Sequence, residues 1–529
     1  MDRKIKVLTF LLVAVFLIFW GRLFWLQIVA GRENLFLAES NRVARIKIEA
    51  PRGLILDRHG EVLATNEPLY QLKQNIEEGK VETISRDEAL QRQAEGQDAY
   101  LKISLQRDYL SVKNFAHALG YLGEVTQEEL EEGKLNLKGY RLGSLIGRDG
   151  LEAEYEELLR GREGSELVEV DTQGKVIRRM GRVLPSPGKS ITTALTKSLQ
   201  EAAVKAMGEK KGAIIATNPQ NGEVLLFYSS PSFEPSQLAE AVKDEEQRPL
   251  LNRVISGLYP PGSTFKIVTA IAGLEEGKIS QRTLIEDPGV IYLGPFAYAN
   301  WYYTQYGRTE GEINLVKAIS RSTDTFFYQL GEMLGIRKLN FWAEKFGLTQ
   351  RFAIDLPGEI AGFMATPEWK EEVKGEPWFL GNTYHIAIGQ GDLDLTPLGV
   401  NMLTAVVANQ GKICRPRMLK LEAPNTPYEA DCKEIEIKKE NLETVKKGMI
   451  GACSQGGTGW PFFDFGIPVA CKTGTAEVGD GQETHAWFTI FAPADNPEIV
   501  LTVLVERGGE GSSVAAPIAK EILKEYFKD

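Results

Sequence analysis

The first apolar segment of the chain runs from Val7 to Ala30 and predicts one membrane-spanning helix, since a bilayer core needs about 20 predominantly apolar residues. Basic residues precede it at positions 3, 4 and 6, so the positive-inside tendency predicts a cytoplasmic N-terminus with the rest of the chain outside. A cleaved signal peptide is the alternative, because Val7 to Trp20 has the length of a signal peptide's apolar core. The apolar pattern resumes after Arg22 as "LFWLQIVA", which favours an uncleaved anchor. No later segment is long and apolar enough to span a bilayer, so we predict a single-pass topology.

The region after this anchor alternates between strand-like and helix-like patterns. "RIKIEAPRGLILDRHGEVLATN" alternates apolar and polar residues with two breaks at turn residues, which predicts three strands. From Ile84 to Gly164 the pattern becomes helical and charged, with helix formers in "SRDEALQRQAE", "VTQEELEEG" and "GLEAEYEELLRGREG". "LVEVDTQGKVIRRM" predicts a hairpin around Gln173-Gly174, and "LPSPGKS", Leu184 to Ser190, predicts a linker.

A second folded region is predicted from Ile191 onward. It opens with "TKSLQEAAVKAMGEKKGAIIATNPQNGEVLLFYSSP", a helix followed by two apolar strands, and it closes with "THAWFTIFAP", "EIVLTVLVE" and a terminal helix. Strands at both ends with helices between them predict an antiparallel sheet flanked by helices, with its edges drawn from distant parts of the chain. We therefore predict an α+β protein in three parts: a cytoplasmic tip and anchor (1–30), an elongated mixed α/β domain (31–190) and a C-terminal domain (191–529).

Composition narrows the class of protein. With 529 residues and 43% hydrophobic content the chain can bury more than one core, because single cores stop growing at roughly 250 to 300 residues. A net charge of −11 without a long Lys/Arg run excludes the basic face that nucleic acid requires. The four cysteines match no metal-binding spacing, and one or two disulfides or free buried thiols are both compatible with the sequence. They are Cys414, Cys432, Cys453 and Cys471.

The stretch "YPPGSTFK" places Ser263 and Lys266 three residues apart at a predicted helix start. The two prolines and glycine bar a helix upstream, while "STFKIVTAIAGLEEG" continues with helical periodicity to Gly277, so the Lys266 amine lies within reach of the Ser263 hydroxyl. An N-cap serine is the ordinary interpretation. A capping box, however, has Glu or Gln where Lys266 stands, and a cation there opposes the helix dipole. If burial lowers the pKa of Lys266, its neutral amine can take the Ser263 proton, and the helix terminus favours the anion formed in acyl transfer.

The spacing alone is a weak signal, because Ser186 and Lys189 repeat it inside the predicted linker, where proline and glycine prevent a helical turn.

Other catalytic chemistries fit the sequence less well. The chain has only four histidines and no Gly-x-Ser-x-Gly elbow, which disfavours a lipase-type Ser-His-Asp hydrolase. His117 and His485 are interpreted as structural, and the scarcity of His/Cys clusters disfavours a zinc site. "IGQGDLDLTP" is neither a phosphate-binding loop nor a dinucleotide fingerprint, and we interpret it as a structural loop.

Two further stretches strengthen the interpretation of Ser263 as a nucleophile. "AISRSTDTFFYQLG" contains Ser322-Thr323-Asp324, and "VACKTGTAEVG" contains the only Lys-Thr-Gly of the chain, at Lys472, Thr473 and Gly474. Ser-x-x-Lys, Ser-x-Asn/Asp and Lys-Thr-Gly in this order are the signature of the penicillin-binding proteins and serine β-lactamases, which the chain resembles. "RGLILDRHGEVLATN", "GLEAEYEELLRGREG" and "YPPGSTFK" resemble class B, monofunctional penicillin-binding proteins. "STDTFFYQLGEMLGI" and "WFLGNTYHIAIGQGDLDLTPL" look like the elongation-type group of that class, penicillin-binding protein 2.

The resemblance implies a function and partners. It implies a membrane-anchored D-Ala-D-Ala transpeptidase that cross-links peptidoglycan stem peptides in lateral wall elongation and cell-shape maintenance, with residues 31–190 as a non-catalytic pedestal of the dimerisation type and 191–529 as the penicillin-binding domain. Its substrates would be lipid II-derived glycan strands, and β-lactams would acylate the same serine. Residues 31–190 do not resemble a glycosyltransferase domain. Polymerisation would therefore come from a polytopic RodA-like glycosyltransferase of the shape, elongation, division and sporulation family, and an MreC-like scaffold is a further expected partner. No cofactor is implied.

The resemblance also implies residue roles. Ser263 would be the nucleophile with Lys266 as base, and Ser322 would relay a proton to the leaving amine. Lys472 would orient that hydroxyl and add positive potential. The backbone N–H groups of Ser263 and Thr475 would form the oxyanion hole.

The substrate-binding segment implied by the resemblance is Thr473, Gly474 and Thr475, with the two hydroxyls on the donor's terminal carboxylate. Asp324 stands where many relatives have Asn, and a carboxylate there favours the charged form of Lys266. Cys471 precedes Lys472 on a predicted strand, so alternation points its side chain away from that lysine, toward packing or a disulfide. "NWYYTQYGRTEG" lacks the His and Cys that some elongation-type relatives use for a metal, so no metal site is carried over.

Other functions on the same fold stay open at this level. A division-type transpeptidase would share all three motifs. A D,D-carboxypeptidase or β-lactamase would use water in place of the acceptor amine, although the long segment ahead of the catalytic motifs argues against both. A β-lactam sensor or a catalytically silent scaffold would use the fold to bind partners, and the three intact motifs argue against silence.

Overall fold

The computed structural model describes residues 3–32, 43–73, 81–95, 101–110, 112–133, 135, 138–170, 176–421, 430–479 and 483–528. Its first element is the apolar helix α1, Arg3–Phe24, which continues as a π-helical turn over Trp25–Val29. Within Arg3–Val29, a stretch of 18 residues has a mean hydropathy of 2.4, and none of that stretch is buried inside the protein. A helix that is apolar on every side and unburied is what a lipid environment accommodates. Length and composition therefore fit the predicted single membrane anchor.

The remaining helices are short to medium in length. They are α2 Arg86–Ala94, α3 Val112–Leu119, α4 Gln127–Glu131, α5 Gly150–Glu154, α6 Glu156–Leu159, α7 Lys197–Met207, α8 Leu238–Lys243, α9 Arg253–Ser256, α10 Lys266–Glu275, α11 Trp301–Tyr306, α12 Leu315–Arg321, α13 Asp324–Leu334, α14 Ile336–Lys345, α15 Pro367–Trp369, α16 Leu380–Ala387, α17 Pro397–Ala408, α18 Lys439–Ala452 and α19 Ala516–Tyr526.

The strands follow the chain in the order β1 Val43–Ile48, β2 Ile55–Leu56, β3 Val62–Lys73, β4 Val81–Ile84, β5 Leu101–Tyr109, β6 Leu122–Glu124, β7 Leu145–Gly147, β8 Gly164–Val170, β9 Val176–Val183, β10 Ile191–Thr192, β11 Gly212–Thr217, β12 Val224–Ser230, β13 Ile285–Asp287, β14 Val290–Leu293, β15 Phe296–Ala299, β16 Gly311–Ile313, β17 Phe363–Met364, β18 Leu393–Asp394, β19 Lys412–Cys414, β20 Cys432–Glu434, β21 Ala470–Glu477, β22 Thr484–Ala492 and β23 Ile499–Val505.

The chain divides into two compact units that do not follow its order. The first unit comprises Met1–Gly53, Asn66–Asp108 and Arg160–Lys189, and the second comprises Leu54–Thr65, Tyr109–Leu159 and Ser190–Asp529. The second unit thus takes in two segments that precede residue 190. The three-part division at residues 30 and 190 stays a prediction about functional parts.

The first unit contains an antiparallel three-stranded sheet in the order β1-β8-β9. This confirms the strands predicted on either side of the hairpin, while its turn at Gln173-Gly174 lies outside the described residues. The helix predicted in "SRDEALQRQAE" is α2, whose first turn is capped by the Ser85 hydroxyl accepting from the Glu88 amide. The helical interpretation of the whole 84–164 region was wrong at β5, because "LKISLQRDY" alternates apolar and polar residues with the period of a strand.

The second unit is built on a five-stranded antiparallel sheet in the order β12-β11-β23-β22-β21. Both faces are buried, because alternate residues of its strands enter two different apolar clusters. Trp487 and Leu504 join the cluster that contains α10 and α17, while Phe488 and Val503 join the cluster that contains α7 and α19. The predicted antiparallel sheet, with strands from both ends of the domain, is confirmed.

A third apolar cluster of the second unit joins segments far apart in the chain. Ile55, Phe115 and Leu151 pack there with residues such as Phe227 and Leu398. Polar contacts reinforce it: a buried side-chain amide at position 200 donates to the Asn114 carbonyl at 2.6 Å. Residues 54–65 and 109–159 are therefore part of the same core as the C-terminal sheet.

Two disulfides lie in the second unit, Cys414–Cys432 and Cys453–Cys471. The first joins β19 to β20 at opposing register positions. The second joins the residue after α18 to the residue before Lys472 on β21. Cys471 is thus half of a disulfide, in the cluster opposite the lysine, as strand alternation predicted.

Candidate active site

Ser263 lies in a 3₁₀ turn, Gly262–Thr264, that leads directly into α10. The α-helix itself begins at Lys266, three residues later than the predicted start, because the turn before it carries a glycine with φ of +55°. The Gly262 amide donates to the Gly389 carbonyl at 2.8 Å, which anchors the turn. Ser263 is partly exposed, whereas the next residues of the helix are buried. The turn therefore presents the serine at the edge of a buried helix.

Lys266 is completely buried at the first position of α10. Its Nζ donates to Asp324 Oδ1 at 2.6 Å, to the Ser322 carbonyl at 3.0 Å and to Ser322 Oγ at 3.2 Å. These three acceptors occupy the three hydrogens of a lysine ammonium. Among the described contacts of Lys266, none joins the Ser263 hydroxyl that the sequence predicted within reach. Burial lowers the pKa of Lys266, and the Asp324 carboxylate opposes that shift.

Ser322 links the two lysines of the site, Lys266 and Lys472. It lies between α12 and α13 in the left-handed conformation, with φ of +56°, which is uncommon for a residue with a side chain. Its Oγ accepts from Lys266 at 3.2 Å and from Lys472 at 2.8 Å. Strain of this kind persists only where surrounding contacts impose it. The two buried amines on a single hydroxyl oxygen supply such contacts.

Lys472 reaches the site from β21, where its side chain is fully buried. Its Nζ also donates to the Thr473 carbonyl at 3.0 Å. Burial lowers the pKa of Lys472 well below its ordinary value, and the neighbouring charge of Lys266 lowers it further. Both effects shift Lys472 toward the neutral amine.

Asp324 begins α13, where a carboxylate also suits the helix dipole. One oxygen accepts from Lys266 and the other accepts from the Trp301 amide at 3.2 Å. Its side chain is 15% exposed. The sequence predicted that a carboxylate here favours the ammonium form of Lys266. The direct contact between Asp324 and Lys266 agrees with this, since it raises the pKa of the lysine.

The Lys-Thr-Gly segment lies on β21, the edge strand of the sheet. A Cβ placed on Gly262 would stand 2.7 Å from the Thr475 carbonyl oxygen, and one placed on Gly474 would stand 3.0 Å from the Thr264 methyl. Both glycines are therefore required for the close approach of the Ser263 turn to β21. This approach brings the backbone of Ser263 next to that of Thr475.

Sequence reasoning missed several supporting residues. The Thr473 hydroxyl donates to Thr458 Oγ1 at 2.8 Å, and Gln390 Nε2 donates to the Thr475 carbonyl at 3.4 Å. Gln390 and Gly389 belong to the "IGQGD" loop, whose glycines were the one signal of a close backbone contact. No sequence pattern pointed to Thr458, because its hydrogen-bond partner Thr473 is not a near neighbour in the chain.

The site brings together Lys266, Ser322, Asp324 and Lys472 by direct hydrogen bonds, and it sets the Ser263 turn against β21. Ser186 and Lys189, which have the same spacing as Ser263 and Lys266, belong to the first unit. Within the described ranges, no group of three or more His, Cys, Asp or Glu side chains is placed to hold a metal ion. A partly exposed serine beside buried amines and backbone N–H groups suits acyl transfer through a covalent intermediate.

Known families and structures match this chain over most of its length. The model of the penicillin binding protein transpeptidase domain matches residues 212–524, and that of the penicillin-binding protein dimerisation domain matches residues 47–95 and 72–193. The peptidoglycan D,D-transpeptidase MrdA of Acinetobacter baumannii is 32% identical, and the alignment covers 97% of this chain and 85% of the relative.

Two solved structures are similar over nearly the whole chain. One is the complex of penicillin-binding protein 2 (PBP2) with MreC from Helicobacter pylori, at 28% identity and a TM-score of 0.78, covering 92% of this chain and 98% of that chain. The other belongs to a peptidoglycan synthase complex described for its structural coordination of polymerization and crosslinking, at 28% identity and a TM-score of 0.79, covering 99% and 98%.

Proposed function

This chain belongs to the class B penicillin-binding proteins, in the elongation-type group of PBP2 and MrdA, and we propose that it is the serine D,D-transpeptidase of peptidoglycan cross-linking. One observation carries the proposal at the level of residues: two buried lysines donate to the Ser322 hydroxyl, and one of them, Lys266, also donates to the Asp324 carboxylate. The activity serves lateral wall elongation, in keeping with the MrdA relatives.

In the acylation step, Ser263 Oγ attacks the carbonyl carbon of the penultimate D-Ala of a donor stem peptide. The proton of Ser263 passes to the Lys266 amine as the C–O bond forms. The C–N bond to the terminal D-Ala then breaks, and the departing amine takes a proton through Ser322. The products are a Ser263 acyl ester and free D-Ala. Low pKa values for the buried lysines support this use of an amine as base.

Ser322 suits the relay because of its hydrogen-bond partners. Both of its lone pairs accept from lysine amines, so its own hydrogen is left to point toward a substrate atom. Lys472 orients this hydroxyl and supplies positive potential when it is protonated.

The donor is held by β21 in this proposal. The hydroxyl of Thr475 and that of Thr473, which turns its hydrogen from Thr458 to the substrate, bind the terminal carboxylate, and Gly474 keeps the strand close to the nucleophile turn. The backbone N–H groups of Ser263 and Thr475 form the oxyanion hole, where each donor is worth about 2.7 to 4 kcal/mol. Because β21 is an edge strand, an extended peptide can lie along it.

The acyl-enzyme is resolved by an amine of a neighbouring stem peptide. That amine attacks the ester carbonyl, the new C–N amide bond forms, and the C–O bond to Ser263 breaks with return of a proton to its Oγ. A β-lactam acylates the same serine, and its ester is resolved slowly.

Localisation and partners extend this proposal. We place the N-terminus in the cytoplasm and the chain that follows the anchor on the opposite side of the membrane, which the two disulfides of the second unit support, because disulfides persist in oxidising compartments. Residues 1–30 act as anchor, 31–190 as pedestal and 191–529 as catalytic domain. A RodA-like polymerase and an MreC-like scaffold are the proposed partners, supported by the similarity to PBP2 bound to MreC and to a peptidoglycan synthase complex.

The test is to incubate the detergent-solubilised chain with fluorescent penicillin, wild type beside Ser263→Ala, and to locate the adduct by peptide mass. We expect label on Ser263 and none in the variant. Label elsewhere, or unchanged label in the variant, would overturn the site. Lipid II supplied with a polymerase then separates cross-linking from hydrolysis, because a transpeptidase yields dimeric muropeptides and a carboxypeptidase yields only shortened monomers.

A further inference from the structure

The Asp287 side chain is a buried hydrogen-bond centre outside the three motifs. It ends β13 and is 2% exposed. Oδ1 accepts from the Gly289 amide at 2.9 Å and from the Thr325 hydroxyl at 2.6 Å. Oδ2 accepts from Asn300 Nδ2 at 2.9 Å and from the Glu310 amide at 2.8 Å. Four donors occupy the full acceptor capacity of a carboxylate and hold it in one orientation.

Asn300 continues this network toward the catalytic motifs. It is fully buried, and while its Nδ2 donates to Asp287, its Oδ1 accepts from the Asp324 amide at 3.2 Å. The next residue, Trp301, donates its own amide to Asp324 Oδ2 at 3.2 Å. The other oxygen of Asp324 accepts from Lys266 at 2.6 Å. An unbroken series of contacts thus leads from Asp287 to the amine of Lys266.

We infer that Asp287 and Asn300 are positioning residues for acyl transfer, an inference that rests on the proposed function. Asn300, held by Asp287, fixes the backbone of Asp324 and also places the Trp301 amide that holds the Asp324 carboxylate, and thereby the Lys266 amine. Asp287 also accepts from Thr325, so it holds the first turn of the helix that Asp324 begins. Positioning of this kind matters because displacing a reacting group by about 1 Å costs about 10²-fold in rate.

The charge state of Lys266 reports whether Asp324 is in place. Around its Nζ are the carboxylate of Asp324, the amine of Lys472, the Ser322 hydroxyl and the ring of Phe327, whose centroid is 5.3 Å away. The carboxylate raises the pKa of Lys266 and the face of the Phe327 ring also favours the ammonium form, whereas burial favours the amine. If Asp324 moves away, the pKa of Lys266 falls. Acylation that needs the neutral amine then reaches half its maximum at lower pH.

The experiment measures the second-order rate constant for fluorescent-penicillin acylation of the full chain between about pH 5 and 10. For Asn300→Ala we expect a drop of about 10²-fold at the plateau, with the acid limb displaced to lower pH. Asp287→Asn keeps the shape of the side chain and is expected to shift the limb in the same direction. The double variant should be no slower than Asn300→Ala alone, because both residues act through Asp324.

A buried carboxylate elsewhere in the second unit provides the matched control. Asp355, 1% exposed, accepts from the Tyr155 hydroxyl at 2.5 Å and the Met418 amide at 2.6 Å. We expect Asp355→Asn to lower thermal stability while leaving the pH profile unchanged. A wild-type profile in a folded Asp287→Asn or Asn300→Ala protein, or the same displacement in Asp355→Asn, would overturn the inference. Failure of wild type itself to label at Ser263 would instead refute the proposed function.

Discussion

The Cys453–Cys471 disulfide is expected to support activity as well as stability. Cys471 immediately precedes Lys472, so the bond fixes β21 at the point where the lysine leaves it. The Cys414–Cys432 disulfide lies on the β19–β20 hairpin. Removing each bond by paired alanine substitution therefore separates a general loss of stability from a local loss of geometry.

The magnitude follows from the loops that the two disulfides close. Both have a sequence separation of 18 residues. The chain-entropy relation assigns a loop of this size a stabilisation of about 3 kcal/mol at 25 °C. The two losses in the free energy of unfolding should thus be similar. Of the two loops, the 453–471 loop carries Thr458, which accepts from the Thr473 hydroxyl on β21.

The assay compares urea unfolding of the second unit with the penicillin acylation rate at a temperature where all proteins are folded. Both alanine pairs should lower the unfolding free energy by about 3 kcal/mol. Acylation should fall by about 10- to 100-fold in Cys453→Ala/Cys471→Ala and stay within about twofold of wild type in Cys414→Ala/Cys432→Ala. Equal acylation rates in the two variants would refute a positional role for the 453–471 bond.

Asp324→Asn should keep penicillin labelling while moving the acid limb of the acylation profile to lower pH, because burial then lowers the Lys266 pKa unopposed; complete loss of label would contradict this. Gly262→Ala should abolish labelling in a gel assay, because its Cβ would meet the Thr475 carbonyl oxygen at 2.7 Å. Gly277→Ala, which also has a positive φ but has open space around its Cβ, should label normally. Similar label in both variants would contradict the steric argument. Thr458→Val removes one neutral hydrogen bond of about 1 kcal/mol, so the apparent affinity for a donor peptide should be roughly fivefold weaker. The affinity is measured by competition against penicillin. An unchanged affinity would show that Thr458 does not orient β21.

Hydrophobic periodicity and motif order were sufficient to predict much of the fold and several residues of the candidate site. The apolar runs of β11, β12, β22 and β23 predicted the antiparallel sheet, because strands buried on both faces are continuously apolar. The spacing and order of three short motifs selected Ser263, Lys266 and Lys472. What the patterns lacked was pairing over long distances. Four cysteines allow three connectivities, so the disulfides could not be assigned from sequence.

The missed features share one physical cause, which is that their partners are far apart in the chain. Asp287 contacts residues 13 and 38 positions later, and no local pattern announces those contacts. The left-handed conformation of Ser322 could not be predicted from the sequence either, since a serine before a helix is normally an N-cap. Segments 54–65 and 109–159 look like parts of the pedestal in sequence, but their apolar residues find partners in the second unit.

The proton balance of the site explains why it needs two lysines. Asp324 favours the ammonium form of Lys266, while burial and the charge of Lys266 make Lys472 the easier of the two to neutralise. Ser322 bonds to both amines. When its hydroxyl turns its hydrogen to the lone pair of a neutral Lys472, Ser322 can accept a proton from Lys266 and give its own to Lys472, which leaves Lys266 as a neutral base for Ser263. On this hypothesis Asp324 protects the resting site from carrying an uncompensated buried charge, and the acid limb of acylation belongs to the lysine pair. An Asp324→Asn profile identical to wild type would exclude that coupling.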